Sequence, residues 1–159
     1  MPTNKAYLAL GTNKGDRNRY LDQALSLLGE RVGLIVLQSS RIETAPEGFE
    51  SENAFLNMAV CLETSHTAIE VLHLTQEIEK ELGRTHKSVH CQYADREIDI
   101  DLLYFNREQI NTEELILPHP RLHKRQFVLL PLSEIAPKLK HPIIGKNTLQ
   151  LLENLKKQS

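Results

Sequence analysis

Two aspartates alternate with three aliphatic residues in the segment Ile98-Asp99-Ile100-Asp101-Leu102. A period of two is typical of a β-strand, in which successive side chains point to opposite faces. The strand is therefore expected to bury its aliphatic face and to carry both carboxylates on the other face. Aspartate is unfavourable in strands, and two like charges on one face repel. A bound divalent cation explains the pair, and an exposed, solvated strand face is the alternative.

Length, composition and charge indicate an ordinary globular protein. A chain of 159 residues suits one domain over residues 1–159, and the apolar and charged fractions of 40% and 25% are typical of a protein with one core. With 19 basic and 21 acidic side chains, the sequence gives no sign of a nucleic-acid or membrane surface. The N-terminal apolar run is too short for a signal peptide. Cys61 and Cys91 show no disulfide framework, so we expect a reduced, cytoplasmic protein.

The hydrophobic pattern predicts alternating strands and helices. Strands are expected at Ala6–Leu10, at Leu34–Ser40 continuing toward Glu43, at Phe55–Glu63 and at Ile98–Phe105; helices are expected from Asp16 to Gly29 and from Ser65 or Thr67 to Gly83. Beyond them lie a short extended piece at Leu115–Pro120 and short helices at Phe127–Leu132 and Thr148–Lys157. This order predicts an α+β, ferredoxin-like split βαβ sandwich, with an antiparallel sheet and helices packed on one of its faces.

Two other patterns suggest ligand sites only weakly. The segment Gly11–Asp16 lacks the spacing of a phosphate-binding P-loop, and a tight strand-to-helix turn explains it equally well. The candidate zinc ligands Cys61, His86, His90 and Cys91 contain no Cys-x-x-Cys or His-x-His pair. We therefore expect neither a P-loop nor a zinc site.

Basic residues cluster just before the acidic strand. Arg84, Lys87 and Arg96 lie 15, 12 and 3 residues before Asp99. Cations beside metal-binding acids are what phosphoryl transfer requires, because both stabilise charge on the phosphate oxygens. A solvated loop with incidental charges is the alternative reading of this segment.

The segment from Ala94 to Leu103 resembles the signature of the 6-hydroxymethyl-7,8-dihydropterin pyrophosphokinase family, which carries its metal acids in a Gly-Pro-Arg-x-x-Asp-hydrophobic-Asp stretch. Five other segments resemble the family in the same order: Gly11–Asp16, Thr44–Pro46, Phe55–Asn57, Gln76–Arg84, and Leu117–Arg121 followed by Arg125 and Phe127. One departure is that Ala94 and Asp95 stand where the family has Gly and Pro. The resemblance nevertheless extends along nearly the whole chain.

The resemblance implies transfer of the pyrophosphoryl group of ATP to the 6-hydroxymethyl group of the reduced pterin, with release of AMP. It assigns two Mg²⁺ ions to Asp99 and Asp101, and catalytic roles to these acids with Arg84 and Arg96. Expected ATP-binding residues are Gln76, Glu79, Arg84, Lys87, Arg96, His119 and Arg125. Expected pterin-binding residues are Thr44, Ala45, Glu47, Phe55, Asn57, Tyr93 and Phe127. The family is usually monomeric, so a monomer is expected.

Two other classes of function stay open at this point. A DxD nucleotidyltransferase would release pyrophosphate, but such enzymes place a Gly-Ser turn shortly before the acids, and here Gly11-Thr12 lies far upstream. A non-enzymatic ferredoxin-like module would bind RNA or a small effector. An RNA-binding version requires exposed strand aromatics and a basic surface, and neither is evident in the sequence.

Overall fold

Strands and helices follow one another in the order that the sequence predicts. The computed structural model describes residues 4–44, 54–83 and 98–157. The strands in these ranges are β1 (Asn4–Thr12), β2 (Leu34–Gln38), β3 (Ile42–Thr44), β4 (Phe55–Thr64), β5 (Asp99–Phe105), β6 (Ile110–Asn111) and β7 (Ile116–Leu117). The helices are α1 (Arg17–Arg31), α2 (Ala68–Glu81), α3 (Gln126–Ile135) and α4 (Thr148–Lys157), and a 3₁₀ turn spans Leu122–Lys124.

The main sheet is five-stranded and antiparallel in each pairing. Its order is β2-β4-β1-β5, with β3 also paired to β4. Among the strands described, β1 and β4 are therefore internal, β5 forms one edge, and β2 and β3 together form the other. Strands β6 and β7 pair separately as a small two-stranded sheet. This topology is the split βαβ arrangement expected from the order of the elements.

One face of the sheet packs against α1 and α2. Its buried side chains include Leu8 and Leu10 of β1, Met58 and Val60 of β4, and Ile100 and Leu102 of β5; they meet Leu21, Ala24, Leu28, Val71 and Ile78 of the two helices. Burial of aliphatic area of this kind is the main favourable term in folding. The aliphatic half of the acidic strand thus faces the core, as the alternation predicts.

The opposite face is covered by α3 and α4. There Ala59, Leu103 and Tyr104 pack with a set of apolar side chains from the C-terminal segment: Leu122, Val128, Leu129, Leu132, Leu151 and Leu152. The predicted fold class is confirmed, but the expectation of helices on one face alone is wrong. The short C-terminal helices bury an apolar stripe of their own, and the sequence pattern does not reveal which sheet face receives it.

Side-chain caps determine where the first two helices begin. The Asp16 carboxylate accepts a hydrogen bond of 3.1 Å from the Arg19 amide. At α2, Thr67 and Glu70 form a reciprocal capping box, in which each side chain accepts the other's amide at 3.3 and 2.8 Å. The expected start at Ser65 or Thr67 is therefore Thr67. Among the helices described, none is long and apolar enough to cross a membrane.

The predicted second strand is divided into β2 and β3. At the division, the Ser39 hydroxyl accepts the Ala59 amide at 2.8 Å, in place of a backbone carbonyl. The next residue, Ser40, donates its amide and its hydroxyl to the Glu134 carboxylate of α3 at 2.7 and 2.8 Å. Ser39 also keeps a backbone bond, from its amide to the Ala59 carbonyl at 2.9 Å, so the strand is interrupted at Ser40, whose amide binds α3 instead of β4.

Candidate active site

Asp99 and Asp101 lie side by side on the sheet face opposite α1 and α2. In the β1–β5 ladder, Asp99 is opposite Gly11 and Asp101 is opposite Ala9. Both acids are half-buried, whereas Ile100 between them is buried in the core. The paired carboxylates predicted from the sequence are therefore present on one face, above the small side chains of β1.

A row of residues crosses three strands at the level of Asp99. Gly11 is opposite Asp99 on one side and opposite Asn57 of β4 on the other. A Cβ atom at position 11 would lie 2.9 Å from Asn57 Oδ1 and 3.7 Å from the Phe55 ring. The absence of a side chain at Gly11 therefore lets the Asn57 amide lie against the backbone of β1. We call Asp99, Gly11 and Asn57 the polar row.

The Asn57 side chain is held in one orientation by hydrogen bonds. Its Nδ2 donates to Thr44 Oγ1 at 2.7 Å and more weakly to the Ile42 carbonyl at 3.4 Å. The residue is only 4% exposed. Because Nδ2 is engaged with β3, the oxygen of the amide is the atom that faces Gly11. The buried polar group is thus ordered before any ligand binds.

His119 approaches the acidic strand from the segment that precedes α3. Its amide donates to the Leu103 carbonyl of β5 at 2.9 Å, and its Nδ1 accepts the Arg121 amide at 3.1 Å. Burial, together with the positive charges of Arg125 and Arg121 and against the opposing charge of Asp99, lowers the pKa of His119 to about 4. The imidazole is therefore neutral near pH 7, with Nε2 as its donor. The expectation that His119 binds ATP stays a prediction, and in the ligand-free protein it is a neutral side chain.

Arg125 and Phe127 form a cation–π contact at the start of α3. The guanidinium carbon of Arg125 lies 5.4 Å from the centroid of the Phe127 ring. Phe127 packs against the cluster that contains Ala9 and Ala59, on the same sheet face as the two acids. One residue expected to bind phosphate and one expected to stack on the pterin are therefore in contact.

Glu79 and Gln76 of α2 occupy different environments. Gln76 is exposed, whereas Glu79 is 8% exposed and its Oε2 accepts the Ile100 amide at 2.7 Å. The carboxylate of Glu79 thus reaches the free edge of β5, between the two aspartates in sequence. The sequence expectation for both residues is contact with the nucleotide.

The sequence model of the 7,8-dihydro-6-hydroxymethylpterin-pyrophosphokinase family, abbreviated HPPK, matches residues 7–137. That range contains the polar row, both acids, His119, Arg125 and Phe127. The chain belongs to the HPPK family. The family's reaction is pyrophosphoryl transfer from ATP to hydroxymethyldihydropterin in folate biosynthesis, so the enzyme class and the reaction predicted from the sequence are confirmed.

Curated HPPK relatives match over most of their length. The chain is 48% identical over 148 residues to the 2-amino-4-hydroxy-6-hydroxymethyldihydropteridine pyrophosphokinase of Bacillus subtilis, covering 92% of this chain and 87% of the relative. The enzyme of the same name from Porphyromonas gingivalis is 48% identical over 137 residues, with coverage of 86% and 92%. That from Aquifex aeolicus is 40% identical over 144 residues, with coverage of 88% and 85%.

Solved structures support the fold. A crystal structure of wild-type Plasmodium falciparum HPPK-DHPS with pteroate has a TM-score of 0.80 and 18% sequence identity. It covers 98% of this chain but 45% of the solved chain, so this chain spans less than half the length of the HPPK-DHPS protein that it matches. At this identity the likeness establishes the HPPK fold alone.

The structure brings together one part of the predicted HPPK site. Asp99, Asn57, Thr44 and Phe55 are joined by the polar row and its contacts, and His119, Arg125 and Phe127 approach the same face. Asp101 lies beside Asp99, while Gln76 and Glu79 are on α2. Six predicted site residues lie outside the described residues; they are Ala45, Glu47, Arg84, Lys87, Tyr93 and Arg96. The candidate zinc ligands His86, His90 and Cys91 also lie outside them.

Gly11 is a site residue that the sequence reasoning did not select. It belongs to a segment that resembles the HPPK family, but a glycine before a helix is also explained by a tight turn. The available signal was its position at the end of a regular apolar strand, because a glycine inside a strand often marks a close approach of other atoms. Its closeness to Asn57 depends on strand register, which the sequence does not reveal.

Proposed function

We propose that the two substrates of the HPPK reaction meet on the sheet face that carries Asp99 and Asp101, with the pterin lying along the polar row. The observation that carries this proposal is the alignment of Asp99, Gly11 and Asn57 across three neighbouring strands. Neighbouring strands are about 4.8 Å apart, so the backbones of Asp99 and Asn57 are separated by about 10 Å. That span suits a bicyclic pterin ring whose hydroxymethyl arm points toward Asp99.

The pterin would be recognised by one edge and by its two faces. The ordered Asn57 amide and the neighbouring Thr44 hydroxyl present matched polar groups to the ring edge. A ligand that lacks the complementary groups would leave buried partners unpaired, which gives strong discrimination. Phe55 and Phe127 are half-buried aromatic residues on this side of the sheet and are proposed to stack on the ring. Ala45, Glu47 and Tyr93 complete the proposed set.

The triphosphate of ATP would lie toward Arg125. Its guanidinium is planar and can donate two parallel hydrogen bonds, which suits phosphate oxygens. His119 is neutral near pH 7 in the ligand-free protein, so we assign it a hydrogen bond rather than an ionic contact. We propose that His119 donates a hydrogen bond from Nε2 to a phosphate oxygen. Arg84, Lys87 and Arg96 are the further proposed cations, and Gln76 is the proposed contact near the nucleoside.

Asp99 and Asp101 suit Mg²⁺. Two carboxylates on one strand face supply hard oxygen ligands, and Mg²⁺ commonly binds one or two carboxylates together with substrate phosphates. Within the described ranges no third acid, histidine or cysteine joins them in a metal-binding group, which fits an ion completed by substrate oxygens. When bound, two such ions would polarise the phosphate oxygens and the pterin hydroxyl. The two acids would position the ions where the substrates meet.

The identity of the products tests this function directly. Purified protein is incubated with Mg²⁺, 6-hydroxymethyl-7,8-dihydropterin and ATP labelled in parallel at the α- and γ-phosphates. We expect the α-label in AMP and the γ-label on the pterin, because the bond between the α- and β-phosphates is cleaved. Free pyrophosphate with an α-labelled pterin would instead indicate a nucleotidyltransferase. Tight ligand binding without turnover would indicate a binding module.

We further propose that residues 1–159 act as one domain, as a monomer in the cytoplasm. The continuity of the sheet supports the single domain, because β1 and β4 pack against helices on both faces. Sedimentation equilibrium at several protein concentrations tests the oligomeric state; a mass near the 18.2 kDa of the chain is expected. A mass that rises with concentration would contradict the monomer.

A further inference from the structure

On β5, the backbone amide between Asp99 and Asp101 donates a hydrogen bond to a side chain of α2. Ile100 lies between Asp99 and Asp101, and β1 is its neighbour in the sheet. Its amide does not donate to β1 but points outward, to Glu79 Oε2 at 2.7 Å. An edge strand exposes amides of this kind and needs partners for them when it is covered. The Glu79 carboxylate fills that role at the point between the acids.

Burial of Glu79 is costly and therefore informative. The residue is 8% exposed, although Glu77 and Glu81 of the same helix are exposed to solvent. A buried carboxylate loses its hydration and must recover that free energy from strong hydrogen bonds. A bond from an amide to an ionised carboxylate is one of the stronger types, and a length of 2.7 Å is at the short end for an N–H donor.

The Glu79–Ile100 bond constrains both acids at once. The peptide that donates this amide joins Asp99 to Ile100, and Asp101 follows directly. A rotation of that peptide would tilt the two carboxylates relative to each other and to the polar row. Phosphoryl transfer depends on position, and an error of about 1 Å in a reacting group costs on the order of a hundredfold in rate. The orientation of the Asp99–Ile100 peptide therefore affects the positions of both carboxylates.

We propose that Glu79 is a positioning residue that acts through the Ile100 amide to hold Asp99 and Asp101 in their working orientation. The effect on catalysis rests on the proposed function, whereas the constraint of the Ile100 amide by Glu79 does not. It differs from the sequence expectation, in which Glu79 contacts the nucleotide. Loss of a nucleotide contact would raise KM for ATP and leave the Ile100 amide unchanged, whereas loss of a positioning bond would free that amide and lower kcat.

The structural test measures amide hydrogen exchange at Ile100 by NMR in the ligand-free protein. Glu79→Gln keeps an oxygen acceptor without the charge, and Glu79→Met keeps the length without an acceptor. We expect exchange at Ile100 to be slowest in the wild type, faster in Glu79→Gln, and about 10- to 100-fold faster than wild type in Glu79→Met. Glu77→Gln and Glu77→Met are the matched controls on the exposed face of α2, and both should exchange as the wild type does.

The functional test follows the same variants through catalysis. We expect kcat to fall in the order wild type, Glu79→Gln, Glu79→Met, while KM for ATP changes by less than about threefold, because the lost interaction orients the acids rather than binding the nucleotide. Should Glu79→Met not fold, Glu79→Gln decides: faster exchange at Ile100 supports the proposal and wild-type exchange contradicts it. Unchanged exchange in both variants with an equal rise in KM for ATP would overturn it. A wild-type protein that forms no AMP would refute the proposed function, whatever the exchange data show.

Discussion

Gly11 and Asn57 approach so closely that a Cβ atom at position 11 would lie 2.9 Å from Asn57 Oδ1. Real Cβ atoms essentially never have so short a contact, so the Asn57 amide would have to move. It is held on its other side by Thr44, at 2.7 Å. Strands β1, β3 and β4 together thus determine the position of the Asn57 side-chain amide.

Replacement of Gly11 by alanine should weaken binding of the pterin selectively. Displacement of Asn57 removes a matched polar contact, so we expect the dissociation constant for 6-hydroxymethyl-7,8-dihydropterin to rise about tenfold. Affinity for ATP should change by less than about twofold, because the nucleotide lies elsewhere in the proposed site. Isothermal titration calorimetry measures both. Gly29→Ala is the matched control, since its nearest neighbour would be the Ile35 methyl at 4.0 Å; an equal effect of both substitutions would contradict the account.

The Thr44 hydroxyl should be required for the same recognition. Thr44→Val removes the acceptor of the Asn57 Nδ2 bond, whereas Thr44→Ser retains it. We expect about a fivefold loss of pterin affinity in Thr44→Val, which corresponds to about 1 kcal/mol for one hydrogen bond, and near-native affinity in Thr44→Ser. Combining Thr44→Val with Asn57→Leu in a double-mutant cycle measures the coupling. Additive effects would show that the two residues act independently.

The sequence predicts much of this arrangement, and its failures have physical causes. The alternation around Asp99 and Asp101 shows which side chains share a face, because strand periodicity is a local property. The order of elements likewise predicts the topology. By contrast, the contact of Gly11 with Asn57 requires the register of two strands that are distant in sequence. The outward turn of the Ile100 amide toward Glu79 depends on where α2 crosses the sheet edge, which no local pattern encodes.

The same distinction applies to the environment of a residue. The family resemblance names His119 as an expected ATP-binding residue but does not indicate its charge. Its burial and the two nearby arginines make it neutral, and these are properties of the folded state. Similarly, Ser40 interrupts the predicted second strand through bonds to α3. Long-range hydrogen bonds override local propensity at these positions.

Stability should decrease in mild acid because of a buried histidine between β5 and the C-terminal segment. His141 is 5% exposed and contacts the rings of Tyr104 and His123. Burial, and then the His123 imidazole, lower the pKa of His141 from its ordinary value of 6.5. Below that value the unfolded chain binds a proton that the folded chain resists, so stability falls as the pH drops from 6.5 through the folded-state pKa. Above 6.5 this contribution is absent.

His141→Asn tests the acid effect with its hydrogen bonds preserved. The asparagine Oδ1 can replace His141 Nδ1 as acceptor for the amides of Ile143 and Ile144, which lie at 3.2 and 3.1 Å. The free energy of unfolding in urea is measured between pH 8 and pH 5. We expect the wild type to lose more stability than His141→Asn over this range, with a difference that opens only below about pH 6.5. Parallel curves would show that His141 does not titrate as described.

Asp99 and Asp101 are both proposed to bind Mg²⁺ at the position where ATP and the pterin react. The most direct test of this proposal is the rate of AMP formation at saturating ATP, pterin and Mg²⁺ in Asp99→Asn and Asp101→Asn. Asp22→Asn is the control, because Asp22 is an exposed acid whose partner is Arg41. We predict a loss of about a thousandfold in kcat for each strand variant and less than twofold for the control. AMP formation near the wild-type rate in either strand variant would contradict the account.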